Sequence, residues 1–408
     1  MFVLAVVLLG SAVPAVPRTL TVAPGSALAT VSAALALARD GDTILVSPGE
    51  YREREIIVTR RVAIVGRGWP VFHGGDHGIF TVTADSVTIR GLVIRDVTPS
   101  TTDDRAGIKV IGARGCRIED NTLLDTFFGI YLSKVTGCTL RQNRVRGSGR
   151  TEALSGNAIH SWSSSDLVIE DNVLRGHRDG IYFEFTTGAR VRRNTSTHHL
   201  RYGLHFMFSN GCEYGDNAFV ANRAGVAVMY SHDVRMSGNR FERSWGGSAY
   251  GLLLKDISDS RLERNILRGN SVGLYAEGTT RVLVTGNEFL ANGWGIQVMA
   301  NAQQTAFRGN RFEGNSFDVS TNSSNAASEF AENSWDRYAG YDLDRDGYGD
   351  VPHAPVRLFA LVVQRNEPAL ILLRSFFVSL LDAAERVAPV LTPRLMEDRR
   401  PLMRWGSP

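Results

Sequence analysis

The chain has 408 residues, 43% of them apolar and 21% charged, with 45 basic against 42 acidic side chains. Such a chain is long enough to bury a large core, and its composition excludes intrinsic disorder. A net charge of +3 with no block of lysine or arginine gives no electrostatic case for a nucleic-acid partner.

The first residues, MFVLAVVLLGSAVPAVP, are an apolar run of signal-peptide length that ends in small residues. Residues 1–18 therefore read as a signal peptide cut between Ala12 and Ala15, and its missing basic n-region suggests a start codon placed too late. No later run reaches the roughly 18 apolar residues needed to span a bilayer. Residues 27–39, ALATVSAALALAR, then read as a short amphipathic helix placed to lid the first rung of a stacked fold.

The central part of the chain is a repeat. Asn121, Asn143, Asn172, Asn194, Asn217, Asn239, Asn265, Asn287, Asn310 and Asn333 each close a short alternating segment such as CRIEDN or VLVTGN, at intervals of 22 to 29 residues. In phase with them runs a second phrase: GIYL, AIHS, GIYF, GLHF, GVAV, GLLL, GLYA and GIQV. Segments of period two separated by Asn and Gly are short strands. A unit of about 22 residues that cannot bury its own apolar side must stack on copies of itself. Parallel stacking at ~4.8 Å per rung predicts an all-β, right-handed parallel β-helix over residues 19–335, with the asparagines in a hydrogen-bonded ladder. Insertions at 150–156 and 244–248 read as surface loops. Cys116, Cys138 and Cys212 each precede a ladder asparagine by five residues and read as small core residues. Cys116 and Cys138 fall on adjacent rungs, near enough for a disulfide, although an odd cysteine count argues against a disulfide framework.

Counting from the repeated glycine, positions one and three are apolar and point inward. Positions two and four then form outward columns, and over residues 158–229 these place His160, Trp162, Tyr182, Glu184, His205, Met207 and Met229 side by side. In RYGLHFMFS the same alternation sends Leu204, Phe206 and Phe208 to the core. An exposed patch of aromatics and sulfur marks a partner or ligand site. His205, Met207 and Met229 are soft donors suited to Cu(I). The plainer reading is an apolar face covered by a partner, since methionine commonly serves as adaptable packing. An enzyme is the competing class, either a polysaccharide lyase, hydrolase or epimerase, or else a carbohydrate-binding relative. Hydrolysis needs paired carboxylates. The columns offer isolated Glu184 and Glu277, and Asp179 reads as a turn residue in HRDG, so no catalytic residue is assigned.

The segments GHRDGIYFEF, LRYGLHFMFSN, AGVAVMYSHDVRMSGN and YGLLLKDISDSRLERN closely resemble the NosD family of nitrous-oxide-reductase maturation proteins. The likeness continues through NGWGIQV, NSFDVSTN, NSWDRYAGYDLDRDGYGDVPH and PVRLF. The resemblance implies a periplasmic, non-enzymatic protein that is held at the membrane through an ABC-type permease and its ATPase. It also implies work with a lipoprotein copper chaperone to supply copper to nitrous oxide reductase.

Residues 336–408 read as an acidic loop and a docking tail. In DLDRDGYGD, Asp342, Asp344, Asp346 and Gly347 match the first half of a calcium loop and Asp350 its ninth position, but His353 stands where the closing glutamate belongs. A calcium-stapled turn and a plain Asp/Gly turn both fit. The apolar run PALILLRSFFVSLLDAAERVAPVL predicts a helix within 367–387, too short and charged to span a membrane. The resemblance implies that it docks on the permease, with MEDRRPLMRW as an extended arm across that partner.

Overall fold

A computed structural model of the chain describes residues 16–149, 151–322, 327–373, 375–387 and 396–405. The apolar N-terminal run lies outside the described residues up to residue 15. Strands of two to six residues run from Thr19–Val22 to Ser334–Trp335. They stack into three parallel sheets of fourteen, thirteen and twelve strands among the described residues, each rung giving one strand to each sheet. This is the right-handed parallel β-helix that the repeat predicts.

The asparagine ladder explains why the rungs stay in register. Asn194, for example, donates from its backbone N–H at 2.9 Å and from Nδ2 at 3.0 Å to Oδ1 of Asn217, and Nδ2 also donates to the Ile169 carbonyl at 2.8 Å. Each asparagine repeats the pattern with the next, its N–H and Nδ2 donating to the Oδ1 one rung nearer the C-terminus. A second ladder, absent from the sequence reading, runs through Asn270, Asn292 and Asn315 at another corner. A ladder of donors must end on an acceptor, and both ladders end on an aspartate. Asn315 donates to Asp318 at 3.1 Å, and Asn333 donates to Asp398 through its N–H and Nδ2, both at 3.0 Å.

Both ends are covered, as exposed strand edges require. Helix α1, Val31–Leu37, is shorter than the predicted 27–39 because Thr30 caps its start and Ala38 is already extended. It lays Val31, Ala34 and Leu35 on the first rung. At the other end α2, Leu358–Arg365, was not anticipated; it buries Phe359, Ala360 and Val363 beside Phe317. The helix expected within 367–387 begins only at Phe376, since Glu367–Leu372, with Pro368 near its start, closes as a tighter 3₁₀ turn before α3, Phe376–Val387. Together these leave Ile371, Phe376, Leu380 and Val387 more than half exposed.

The last segment corrects the sequence reading. Residues 396–405 do not extend away as an arm. Met396 and Asp398 are buried, and bridges Phe330↔Asp398 and Ser334↔Leu402 seat the segment on the final rung. The three cysteines are buried and free, with Cys116 and Cys138 on neighbouring rungs beside the Arg117↔Thr139 pair.

Candidate functional site

The two outward columns are realised in register. Tyr131, His160, Tyr182 and His205 are successive neighbours in one, and Trp162, Glu184, Met207 and Met229 in the other. The first column is less exposed than alternation alone suggested, because its rings cover one another. Tyr131 and His160 stack at 4.6 Å, His160 and Tyr182 at 4.9 Å, and Tyr182 meets His205 edge-on at 5.1 Å. Tyr182 keeps 9% of its surface in solvent and His205 6%. The second column stays half-buried, and Lys134 lies 5.3 Å over the Trp162 ring.

Burial sets the chemistry of the first column. It pushes the His160 and His205 imidazoles down to about 4, against the pull of Asp104 and Asp179 respectively. It pushes the Tyr182 phenol up to about 12, with Glu184 adding to the shift. Neither histidine is therefore a charged group at neutral pH, nor a base poised near it. His160 Nδ1 is held by the Asn157 amide at 3.0 Å.

Asp179 stands at a rung corner, as HRDG suggested, but it is also the centre of a buried ion pair. It is fully buried, receives Arg201 Nε at 3.0 Å and Nη2 at 2.7 Å, and accepts the Tyr202 N–H at 3.1 Å. Arg201 also donates from Nη2 to His205 Nδ1 at 3.0 Å. Alternation hid this group because Asp179 and Arg201 stand at rung corners, where the side-chain period of two breaks.

The same break overturns the inward placement of Phe208. It has φ 49°, is 41% exposed, and stacks on Phe185 at 5.2 Å and Tyr230 at 5.1 Å. Phe185 and Tyr230 are left-handed as well, with φ 53° and 52°. Asp256 and Gly278, the next residues in this column, are types suited to that conformation, whereas bulky side chains rarely adopt it. Three successive aromatics here build an apolar ridge beside Met207 and Met229. The signal was legible as the fifth residue after the repeated glycine in GIYFEF, GLHFMF and GVAVMY.

The insertion at 150–156 contains a 3₁₀ turn, Glu152–Leu154, and Glu152 reaches across to Arg223 at 2.8 Å. That at 244–248 puts Trp245 in solvent. An open polar cleft of about 720 Å³ lined by Arg141, Arg144, Asp171 and Arg193 lies on another face. In the acidic loop, Asp342, Asp344 and Asp346 bring carboxylate oxygens within 4.8 Å of one another, while Asp350 instead accepts the Leu343 N–H at 2.7 Å. Arg400 pairs with Asp346 at 2.9 Å.

The family model described as periplasmic copper-binding protein (NosD) matches residues 38–154 and 148–343. The chain belongs to the NosD family. A probable ABC transporter binding protein NosD from Pseudomonas aeruginosa is 28% identical over 354 residues, covering 82% of each chain. One of the same description from Stutzerimonas stutzeri is 25% identical over 418 residues, covering 97% of this chain and 92% of that one. Among solved structures, the A-module of the mannuronan C-5 epimerase AlgE6 from Azotobacter vinelandii superposes with a TM-score of 0.61 at 15% identity, over 75% of this chain and 93% of that one. The catalytic unit of an α-1,3-glucanase from Streptomyces thermodiastaticus gives 0.53 at 15% identity, over 77% and 65%. At that identity the two enzymes share the fold alone. The NosD match covers the columns, and copper as cargo is chemically suited to their two thioethers on adjacent rungs.

Proposed function

We propose that this chain is a periplasmic, non-enzymatic accessory of an ABC-type transporter that supports copper delivery to nitrous oxide reductase. On this reading a lipoprotein copper chaperone docks on the face formed by His160, Trp162, Tyr182, Glu184, His205, Met207 and Met229. The permease receives the apolar side of the C-terminal helices. The observation that carries it is the contiguity of Met207 and Met229 with the ridge Phe185, Phe208 and Tyr230 in a member of a copper-binding family. Docking is the main role of the patch, with copper contact at His205, Met207 and Met229 accompanying it. Asp104 and Asp179 are carboxylates that act on the His160 and His205 imidazoles, and Asp179 is held by Arg201, which speaks against its use as a hydrolytic acid or base.

Met207→Leu with Met229→Leu conserves volume and apolarity while removing both thioethers. In cells carrying the pair, copper content of the reductase and pull-down of transporter and chaperone separate the roles. Docking predicts normal assembly and near-normal loading for the leucine pair, and lost assembly for His205→Asp. Normal assembly with a copper-poor reductase would instead make copper contact the primary role.

A further inference from the structure

The hydrogen bond from Arg201 fixes which nitrogen of His205 carries the proton. A guanidinium has five N–H donors, no acceptor, and does not give up its charge. With Arg201 Nη2 at 3.0 Å, His205 Nδ1 must accept, so it holds the lone pair and the proton sits on Nε2. A neutral imidazole has one lone pair on nitrogen, and here Arg201 occupies it. Nε2 is buried, carries the hydrogen, and finds no acceptor. In this state His205 cannot ligate a metal.

Arg201 is itself held. Its second contact is the paired bond to Asp179, a carboxylate with no exposed surface. Asp179 Oδ2 also lies 3.9 Å from His205 Nδ1. Were Arg201 to move aside, the carboxylate would face Nδ1 directly. A proton on Nδ1 could then be donated to Asp179, which leaves the Nε2 lone pair free in the carboxylate–imidazole arrangement that orients metal-binding histidines. The exchange moves one proton between two nitrogens of the same ring and changes no net charge.

We propose that Arg201, anchored by Asp179, is a positioning residue that locks His205 in the tautomer unable to bind copper, and that displacing Arg201 converts the patch into a copper-accepting one. Asp179 serves both states, holding Arg201 in the first and the Nδ1 proton in the second. The inference rests on the reading of His205, Met207 and Met229 as a copper contact.

The test uses the purified protein, ¹⁵N-histidine NMR to read the tautomer, and anaerobic titration of Cu(I) against a chromophoric chelator. The variant is Arg201→Met, which removes the guanidinium that occupies Nδ1, keeps Arg178 3.6 Å from Asp179 as a cation partner, and leaves Oδ2 open to Nδ1–H. Wild type should show His205 protonated on Nε2. Arg201→Met should show it on Nδ1, bind Cu(I) at least tenfold more tightly, and lose that gain when His205→Ala is added. His205 found on Nδ1 in wild type would overturn the lock while leaving the copper reading intact, and this measurement needs no variant to fold. The expected change of tautomer with no change in Cu(I) affinity, and no effect of His205→Ala in either background, would overturn the copper reading and the proposal with it.

Discussion

Asp398 should be the residue on which the C-terminal end of the solenoid depends. Its Oδ2 accepts the Asn333 N–H and Nδ2 at 3.0 Å and Trp335 Nε1 at 3.1 Å, while Oδ1 accepts the Glu332 N–H at 3.2 Å and the Arg400 N–H at 3.1 Å. After Asp398→Ala, Asn333 Nδ2 keeps the Phe307 carbonyl and the Glu332 N–H keeps the Arg400 carbonyl. The Asn333 N–H and Trp335 Nε1 lose their partners inside the fold. At about 1–3 kcal/mol for each buried orphan, the cost is about 2–6 kcal/mol. Asp398→Asn keeps one acceptor oxygen but sets an NH₂ against other donors, so it should cost about half as much. Urea denaturation, with hydrogen exchange over residues 330–336 and 396–405, measures both the loss and its location. Alanine should lower the denaturation midpoint more than asparagine and speed exchange first at this end. A wild-type midpoint and wild-type exchange in Asp398→Ala would refute the claim that the ladder needs an acceptor-only terminus.

Burial pushes His177 down to about 4 and His199 to about 3. Both are depressed below the unfolded value, so the unfolded chain binds more protons and stability should fall as pH drops from about 6.5 toward 4. His199 accepts the His177 N–H through Nδ1, a place that an asparagine oxygen can take, and His199→Asn should move the acid-unfolding midpoint to lower pH; an unchanged midpoint would show that burial there costs the charged form little. Asp318, raised to about 6 by burial, works in the opposite sense: its contribution is present at low pH and lost as pH rises through about 6. Calcium held by Asp342, Asp344 and Asp346 would raise the melting temperature in proportion to saturation, and Asp344→Ala would abolish the rise. A melting temperature indifferent to calcium leaves these carboxylates as turn acceptors. Incubation with uronate and neutral polysaccharides should release no reducing ends or unsaturated products, and turnover that Glu184→Gln abolishes would establish an enzyme instead.

The sequence by itself determined the solenoid, because an alternating strand recurs along it and a buried asparagine recurs from Asn121 to Asn333, each needing the same partner one rung away. It also determined which residues share the outward columns, since register comes directly from that repeat: Met207 beside Met229, and Tyr182 beside His205. Tertiary structure decided what happens where period two stops. Left-handed corners turned Phe208 outward to stack with Phe185 and Tyr230, and brought Asp179 and Arg201 onto His205, relations that alternation within a strand does not encode. It alone decided how the ladder ends. Asp398 stands 65 residues beyond Asn333, and only folding back the chain end places a carboxylate where the last donors need one.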